Sequence, residues 1–479
     1  MRLFEFLLLV ALLPFILIFL IQADNQTFWL ILFSIATAVL FCIHLIVEGY
    51  RWQMLLAYIL IPILLLFSFV SLAFGSFDTP SWARILGIGL GMLFFVIAIT
   101  LPTIFPIFKL PKPTGPFAVG STIFMVSNNM PGEYLADVYD VVVHAWYPAK
   151  SVTGKRAPYF ATAPFPWGWL RHVRTHAVLD APFANNEPFP VLIFCHGGGF
   201  VAIQNTVLMQ ELASHGYVVF SCSHLYDSAV TVYPNGRFNN RSIFQAWKEM
   251  QPVLADNNHA FKTASGLLYK NGGQNKSLNE KRAIMRQVFA ENKIALDVIN
   301  RRVRDITAVI NHLTNINKNT SASPFSGRLD MNRLGILGHS NGGAVAVNVA
   351  MHDVRVQAVI NMDGYLFGDV FDGGLKRPFL TLNKAGDQGR DDVIYEQAEN
   401  SAYSVTIQGA SHFNFMDIYL WMPLLNSKFL GPIDPQRAQE IINHFTRAFF
   451  DKHLRDMEFS LLDNPSNEYP EVLFQSRNT

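Results

Sequence analysis

"GILGHSNGGAVAV", residues 335–347, is the stretch whose reading decides the fold. A short apolar run leads in, Gly338-His339-Ser340-Asn341-Gly342 turns the chain, and an alanine- and valine-rich helical stretch leads out. This is a Gly-x-Ser-x-Gly arrangement, in which a serine sits on a strained turn between a strand and a helix. Small residues flank it because the turn brings backbone and neighbouring strands close together. The turn also exposes the hydroxyl at the amino end of a helix, where the dipole favours developing negative charge. The bare pattern occurs by chance in many proteins. The strand before it and the helix after it select Ser340 as a nucleophile rather than a residue of an ordinary glycine-rich turn.

Around this turn, short and almost wholly apolar runs alternate with helical stretches: "PVLIFC", "YVVFSC", "RLGIL", "VQAVINM", "PFLTLN" and "YSVTIQ". Continuous rather than alternating apolarity is what strands buried on both faces of a parallel sheet require. Helix-length segments between such strands give α/β architecture with right-handed crossovers. Upstream, "STIFMVS" and "VYDVVVHAWYP" read as strands from their β-branched and aromatic content. Residues 150–188, rich in Pro, Trp and His without periodicity, read as a surface excursion. In the long insertion before the nucleophile, Leu296, Ile299, Val303, Ile306, Ile310 and Leu313 form one stripe of an amphipathic helix, with Arg301, Arg302, Arg304 and Asp305 among them. "KNGGQNKS" ahead of it is a flexible loop that, with "LADNNHAFK", forms part of a lid.

Functional groups of an open parallel sheet collect outside the carboxyl ends of its strands. A serine hydroxyl is a weak nucleophile until a base takes its proton. His412 follows the last strand in "QGASHFNF", where a tight loop swings its ring over the strand ends, whereas His352, His444 and His453 lie in helix-like segments. Two strand ends offer the acid, Asp363 after "VQAVINM" and Asp387 after "PFLTLNKAG", and spacing alone leaves both open. An oxyanion hole needs two backbone N–H groups aimed at the developing charge. Asn341, after the nucleophile, supplies one, and Gly198 in His196-Gly197-Gly198-Gly199 the other. His196 braces that loop, and His224 lines the pocket or caps a strand. His172 and His176 have helical i, i+4 spacing but no Glu or Cys beside them, so no metal site is expected.

The chain has 479 residues, 51% of them hydrophobic, and the excess is concentrated before about residue 110. Four apolar runs near 4–22, 28–47, 54–74 and 85–107 are each long enough for a transmembrane helix and have no polar face. The first is read as an uncleaved span rather than a signal peptide. Arg2, Arg51, Lys109 and Lys112 on one side against Arg84 on the other place the amino terminus and everything after residue 110 in the cytoplasm. The expected domains are a transmembrane region at 1–110, a catalytic domain at 111–455 and a polar tail at 456–479. A net charge of +1 without a basic stripe argues against nucleic acid as partner. Cys42, Cys195 and Cys222 make neither a disulfide framework nor a metal cluster. No cofactor is expected, and nothing in the sequence fixes an oligomeric state.

In combination, "FPVLIFCHGGGF", "ELASHGYVVFSCSH", "LGILGHSNGGAVAV", "AVINMDGYLF" and "VTIQGASHFNFMD" resemble the successive blocks of the platelet-activating-factor acetylhydrolases, over roughly residues 139–455. The resemblance implies an α/β-hydrolase fold, a mostly parallel sheet with flanking helices. It also implies a calcium-independent serine lipase removing short or oxidised sn-2 acyl groups from phospholipids. By the family's pattern the acid lies in the "NMDGYLF" block, which selects Asp363, and the oxyanion donors map onto Gly198 and Asn341. Two departures, His-Gly-Gly-Gly for a His-Gly-Leu-Gly-like loop and Asp-Gly-Tyr for Asp-Ala-Trp, lie beside the acyl pocket. A carboxylesterase or polyester hydrolase is therefore the competing expectation for substrate, and an inactive hydrolase-like domain of a membrane sensor or transporter the more remote one.

Overall fold

The computed structural model describes the chain except residues 19–25, 75–79, 129–138, 163–165, 226, most of 241–275, 291–292, 319–322, 387–390, 465–466 and 478–479. The proposed lid segments lie largely outside the described residues. The chain forms two compact units, one of Met1–Lys109, Phe165–Val173 and Leu420–Asn426, the other of Leu110–Pro164, Arg174–Tyr419 and Ser427–Thr479.

The first unit is built on helices α1 (Leu3–Leu17), α2 (Gln26–Ile43), α3 (Leu55–Phe74) and α4 (Ser81–Ile104). Leu8, Leu9 and Leu12 of α1 pack on Ala57, Leu60 and Ile61 of α3 and on Ala98 of α4. Ile31, Ile35, Ile63, Leu66, Ile85 and Leu90 face outward. Such apolar exteriors suit lipid rather than water. Among the described residues, three stretches are long and apolar enough to cross a membrane: Gln26–Glu48, Trp52–Phe74 and Ser81–Ile104. The expected fourth is not among them. Its described helix, α1, has 15 residues, about 22 Å at 1.5 Å per residue against a ~30 Å hydrocarbon core, and residues 19–22 of that run lie outside the described residues.

A buried ion cluster ties the ends of these helices together. The Arg51 guanidinium donates to both carboxylate oxygens of Glu5 at 3.1 and 3.0 Å and to the Phe105 carbonyl after α4. Arg2 also donates to Glu5, at 2.9 Å, and the Glu48 carboxylate accepts the N–H groups of Phe4 and Glu5 at 3.0 and 3.1 Å. The unit takes in two distant segments as well. The Trp52 indole donates to the Pro166 carbonyl at 2.9 Å, and the Trp167 and Trp421 rings meet edge to face.

The second unit is organised by an eleven-stranded sheet. Its strands are β1 (Ala118–Asn128), β2 (Tyr139–Ala149), β3 (Arg156–Pro158), β4 (Arg174–Leu179), β5 (Phe189–Cys195), β6 (Val218–Ser223), β9 (Leu329–His339), β10 (Val356–Met362), β11 (Phe379–Lys384), β12 (Ala402–Ile407) and β13 (Val472–Arg477). Strands β7 (Val230–Val232) and β8 (Phe238–Asn240) form a separate hairpin. The order is β13-β12-β11-β10-β9-β5-β6-β2-β1-β4-β3. From β12 through β6 every pairing is parallel. Each of these strands matches an apolar run of the sequence; β5, β6 and β11 are buried on both faces as continuous apolarity demands, and β12 is half-buried on one face at Ser404 and Thr406. This parallel block is flanked by antiparallel partners, β13 beside β12 and β2 beside β6.

Helices α5 (Thr206–Ser214), α6 (Leu278–Ala290), α7 (Lys293–Lys318) and α8 (Asn341–His352), with a C-terminal helix at Pro435–Arg455, flank the sheet. The predicted stripe of α7 is buried at Ile299, Ile306, Ile310 and Leu313 and half-buried at Leu296 and Val303.

Three segments carry strands where none was expected, the first being the β7–β8 hairpin in the insertion after β6. The excursion at 150–188 holds β3 and β4, the latter paired with β1 at only two positions. The segment read as a polar tail holds β13, whose side chains are mostly exposed because it lies at the sheet's end.

Candidate active site

Strand β5 lies between β6 and β9, so successive strands depart from it in opposite directions. Ligand sites of open α/β sheets form outside the carboxyl ends of the strands at such a reversal. Cys195 at the end of β5 sits beside Gly338 of β9, and His339 beside Met362 of β10. The loops after these three strands therefore meet.

Ser340 stands between β9 and α8 at φ 57° and ψ −127°, a conformation that costs a non-glycine residue about 1–3 kcal/mol. Its N–H donates to the Met362 carbonyl at 2.9 Å. The two glycines of the motif have a steric cause. A Cβ on Gly338 would lie 2.1 Å from the Gly342 carbonyl oxygen, and one on Gly342 would lie 2.0 Å from that of Cys195.

Asp363 follows β10, also at positive φ (51°), and its side chain is fully buried. Oδ1 accepts the Lys384 N–H at 3.3 Å, which leaves Oδ2 to receive the His412 ring at Nδ1, 2.5 Å away. His412 Nε2 lies 3.1 Å from Ser340 Oγ. The structure thus joins Ser340, His412 and Asp363 in one chain of hydrogen bonds. Asp387, the other acid considered, lies outside the described residues.

The His412 turn is fixed from several sides. Asn414 Oδ1 accepts the N–H groups of Ser411 and Gly431 at 2.8 and 2.9 Å, and Ser411 Oγ donates to the Phe429 carbonyl at 2.8 Å. Further on, Asp417 is wholly buried and Oδ2 accepts the Tyr159 hydroxyl at 2.7 Å and the Val207 N–H at 3.1 Å. Burial pushes its pKa up to about 7.

Three buried histidines lie at or near this site. His339, the variable residue before the serine, stacks on His412 with ring centroids 4.6 Å apart. Its Nδ1 accepts from Gln204 Nε2 at 3.0 Å, so Nε2–H donates to the His412 carbonyl at 3.1 Å. Burial, reinforced by His412, holds its pKa down to about 3, in keeping with this neutral tautomer. His196 donates from Nδ1 to the Gly197 carbonyl at 2.7 Å and accepts from Ser228 Oγ at 2.8 Å. It braces the loop as expected, and burial, then the Arg302 charge, keeps its pKa well below the usual value. His224, directly after β6, is buried against Asp305 of α7 at 2.8 Å. Burial pushes the Cys195 thiol up to about 12, which removes it as a rival nucleophile.

In the glycine loop after β5, the Gly197 N–H donates to Gln204 Oε1 at 3.0 Å and the Gly199 N–H to Asp227 Oδ1 at 3.2 Å. The Phe200 N–H reaches back to the Gly197 carbonyl at 3.3 Å. Among the described residues, the Gly198 N–H alone of these four donates to no protein group. Asn341 opens α8, whose first N–H groups lie outside the helical ladder. His172 ends a 3-10 helix and His176 lies on β4, so the helical spacing read for this pair does not apply.

A serine on a strand-to-helix turn, joined to a histidine and a buried carboxylate at the reversal of a mostly parallel sheet, defines an esterase of the α/β-hydrolase fold. The family described as platelet-activating factor acetylhydrolase, isoform II, matches residues 103–471, and the chain belongs to that family. It is a serine carboxylic-ester hydrolase. It is 26% identical to the platelet-activating factor acetylhydrolase of Cavia porcellus over 72% of this chain and 78% of that protein. It is 24% identical to a probable 1-alkyl-2-acetylglycerophosphocholine esterase of Arthroderma benhamiae, over 77% and 94%. Among solved structures, a ferulic acid esterase from Streptomyces cinnamoneus superposes with a TM-score of 0.57 at 25% identity, covering 76% of this chain and 98% of that one.

Proposed function

We propose that this protein is a membrane-anchored phospholipid esterase that releases short or oxidised sn-2 acyl groups through an acyl-Ser340 intermediate. The observation that carries the catalytic part is the continuous hydrogen-bonded path from Ser340 Oγ through His412 to Asp363. His412 Nε2 takes the hydroxyl proton as Oγ attacks the ester carbonyl, while Nδ1–H stays bonded to Asp363, which stabilises the imidazolium. The oxyanion accepts from the N–H groups of Gly198 and Asn341. His412 then protonates the leaving alcohol, and water, activated by the same ring, releases the acid. No metal or cofactor takes part in this scheme.

The three apolar helices support anchoring, which raises the enzyme's effective concentration at the lipid surface. Lys109 and Lys112, flanking the last span, support a cytoplasmic side for the catalytic unit. The domain scheme proposed is transmembrane residues 1–110, a catalytic domain at 111–455 and the remaining residues to 479.

The test is acyl release from phosphatidylcholines bearing acetyl or palmitoyl at sn-2, by the protein and its Ser340→Ala variant, with a chelator present. Serine-dependent cleavage of the acetyl lipid alone is the expected result. Turnover of soluble aryl esters with neither lipid cleaved would favour the general carboxylesterase reading, for which the His-Gly-Gly-Gly loop speaks.

A further inference from the structure

The stripe residues of α7 bury two charged groups as well as the apolar ones. Arg302 is 1% exposed and Asp305 3%. Asp305 holds His224, Asn128 and the Tyr139 hydroxyl. Arg302 does something different, because it bonds backbone. Its Nη1 donates to the His196 carbonyl at 2.6 Å and its Nη2 to the Gly197 carbonyl at 3.3 Å. It also pairs with Asp227, the residue that accepts the Gly199 N–H.

In a planar trans peptide the C=O of one residue and the N–H of the next point in opposite directions. Holding the His196 carbonyl therefore turns the Gly197 N–H to the far side of the loop. That N–H is found there on Gln204, whose amide also reaches His339 beside the catalytic histidine. By the same rule, holding the Gly197 carbonyl turns the Gly198 N–H to that side, where it meets no protein acceptor among the described residues. Glycine backbones have little torsional preference of their own, so hydrogen bonds must fix these two peptide planes; within the loop the His196 ring and the Phe200 N–H reach only the Gly197 carbonyl, whereas Arg302 holds both carbonyls. A guanidinium is suited to the task, since its donors lie in one rigid plane and it is never deprotonated.

We infer that Arg302 is a positioning residue for the reaction, holding the His196 and Gly197 peptides so that the Gly198 N–H stays aimed at the oxyanion. It touches no substrate and acts through the loop alone. This rests on the proposed roles of Ser340 and Gly198.

The test compares wild type with Arg302→Gln, Arg302→Lys and Ser340→Ala on a soluble aryl ester. It also measures inhibition by a trifluoromethyl ketone, whose serine adduct carries the oxyanion. Misaiming one oxyanion donor costs on the order of 10²-fold in kcat. Arg302→Gln is expected to lose about that factor with KM nearly unchanged, and to lose affinity for the ketone in parallel. Arg302→Lys, which keeps the charge but cannot hold two carbonyls in one plane, is expected to fall between. The pH–rate profile should stay in place, since His412 is not the group disturbed. A folded Arg302→Gln variant with wild-type kcat and ketone affinity overturns the inference, as does a loss confined to KM. If Gln prevents folding, the same readouts on Arg302→Lys decide, and wild-type values there overturn it. Activity surviving in Ser340→Ala would sink the underlying reading instead.

Discussion

At residue scale, both Ser340 and Asp363 are held at positive φ, and each is pinned by its own N–H, to Met362 and Leu382 at 2.9 and 2.8 Å. The strain is maintained by the sheet because it puts the hydroxyl and the carboxylate on opposite sides of one imidazole. Ser340→Ala is expected to lose on the order of a thousandfold or more in kcat, together with fluorophosphonate labelling. Asp363→Asn is expected to lose on the order of 10²–10⁴-fold, because the amide no longer favours the Nδ1–H tautomer. Asp387→Asn should retain wild-type turnover, and a collapse there with a normal Asp363→Asn rate would reassign the acid.

Asp417 gives a different kind of prediction. Its folded pKa, about 7, lies above the ordinary carboxylate value, so the folded state holds its proton more tightly than the unfolded chain. Its contribution is complete at pH values below the unfolded pKa and is lost as pH rises through about 7. Asp417→Asn can still accept from Tyr159 and Val207, and it cannot ionise. Melting midpoints measured from pH 5 to 8 should therefore fall less steeply in the variant than in wild type.

At the scale of elements, the nucleophile turn is a three-way packing problem. Gly342 of α8 abuts the end of β5 so closely that Gly342→Ala forces the helix and strand apart, at a cost of about 1–3 kcal/mol or more. A lowered melting midpoint, with lost activity, is the expected readout. The glycines and the serine were legible in the sequence because a local turn dictates them. The parallel strands were legible for a similar reason, since burial on both faces leaves an unbroken apolar run. Strands β3, β4 and β13 were not, because short or exposed edge strands carry little hydrophobic pattern. Gln204, Asp417 and Arg302 were also invisible. Each bonds a group far along the chain, Gln204 to His339, Asp417 to Tyr159 and Arg302 to His196, and Arg302 reads in sequence as the solvated side of an amphipathic helix. Asp363 was open on spacing and became a choice only through the resemblance.

At the scale of the whole molecule, the α/β assignment followed from the strand pattern, but the count of spanning helices did not. Apolar length in sequence does not report where a helix begins and ends, and the described part of the first run is a helix of 15 residues. The outward apolar faces of α2, α3 and α4 predict that the protein stays with membranes through alkaline carbonate and high salt and is released by detergent. Recovery in the carbonate supernatant would contradict anchoring.

The ion cluster at the helix ends bears on how the chain can be cut. Glu5 lies within the first helix and is the carboxylate to which the buried Arg51 side chain donates twice. Trimming that helix, by a processing protease or by the design of an expression vector, would strip the counter-charge from a guanidinium that is fully buried. An uncompensated buried charge of this kind costs about 3–5 kcal/mol. The leading residues are thus an electrostatic keystone, and shortened versions that spare them should fold where those lacking them do not.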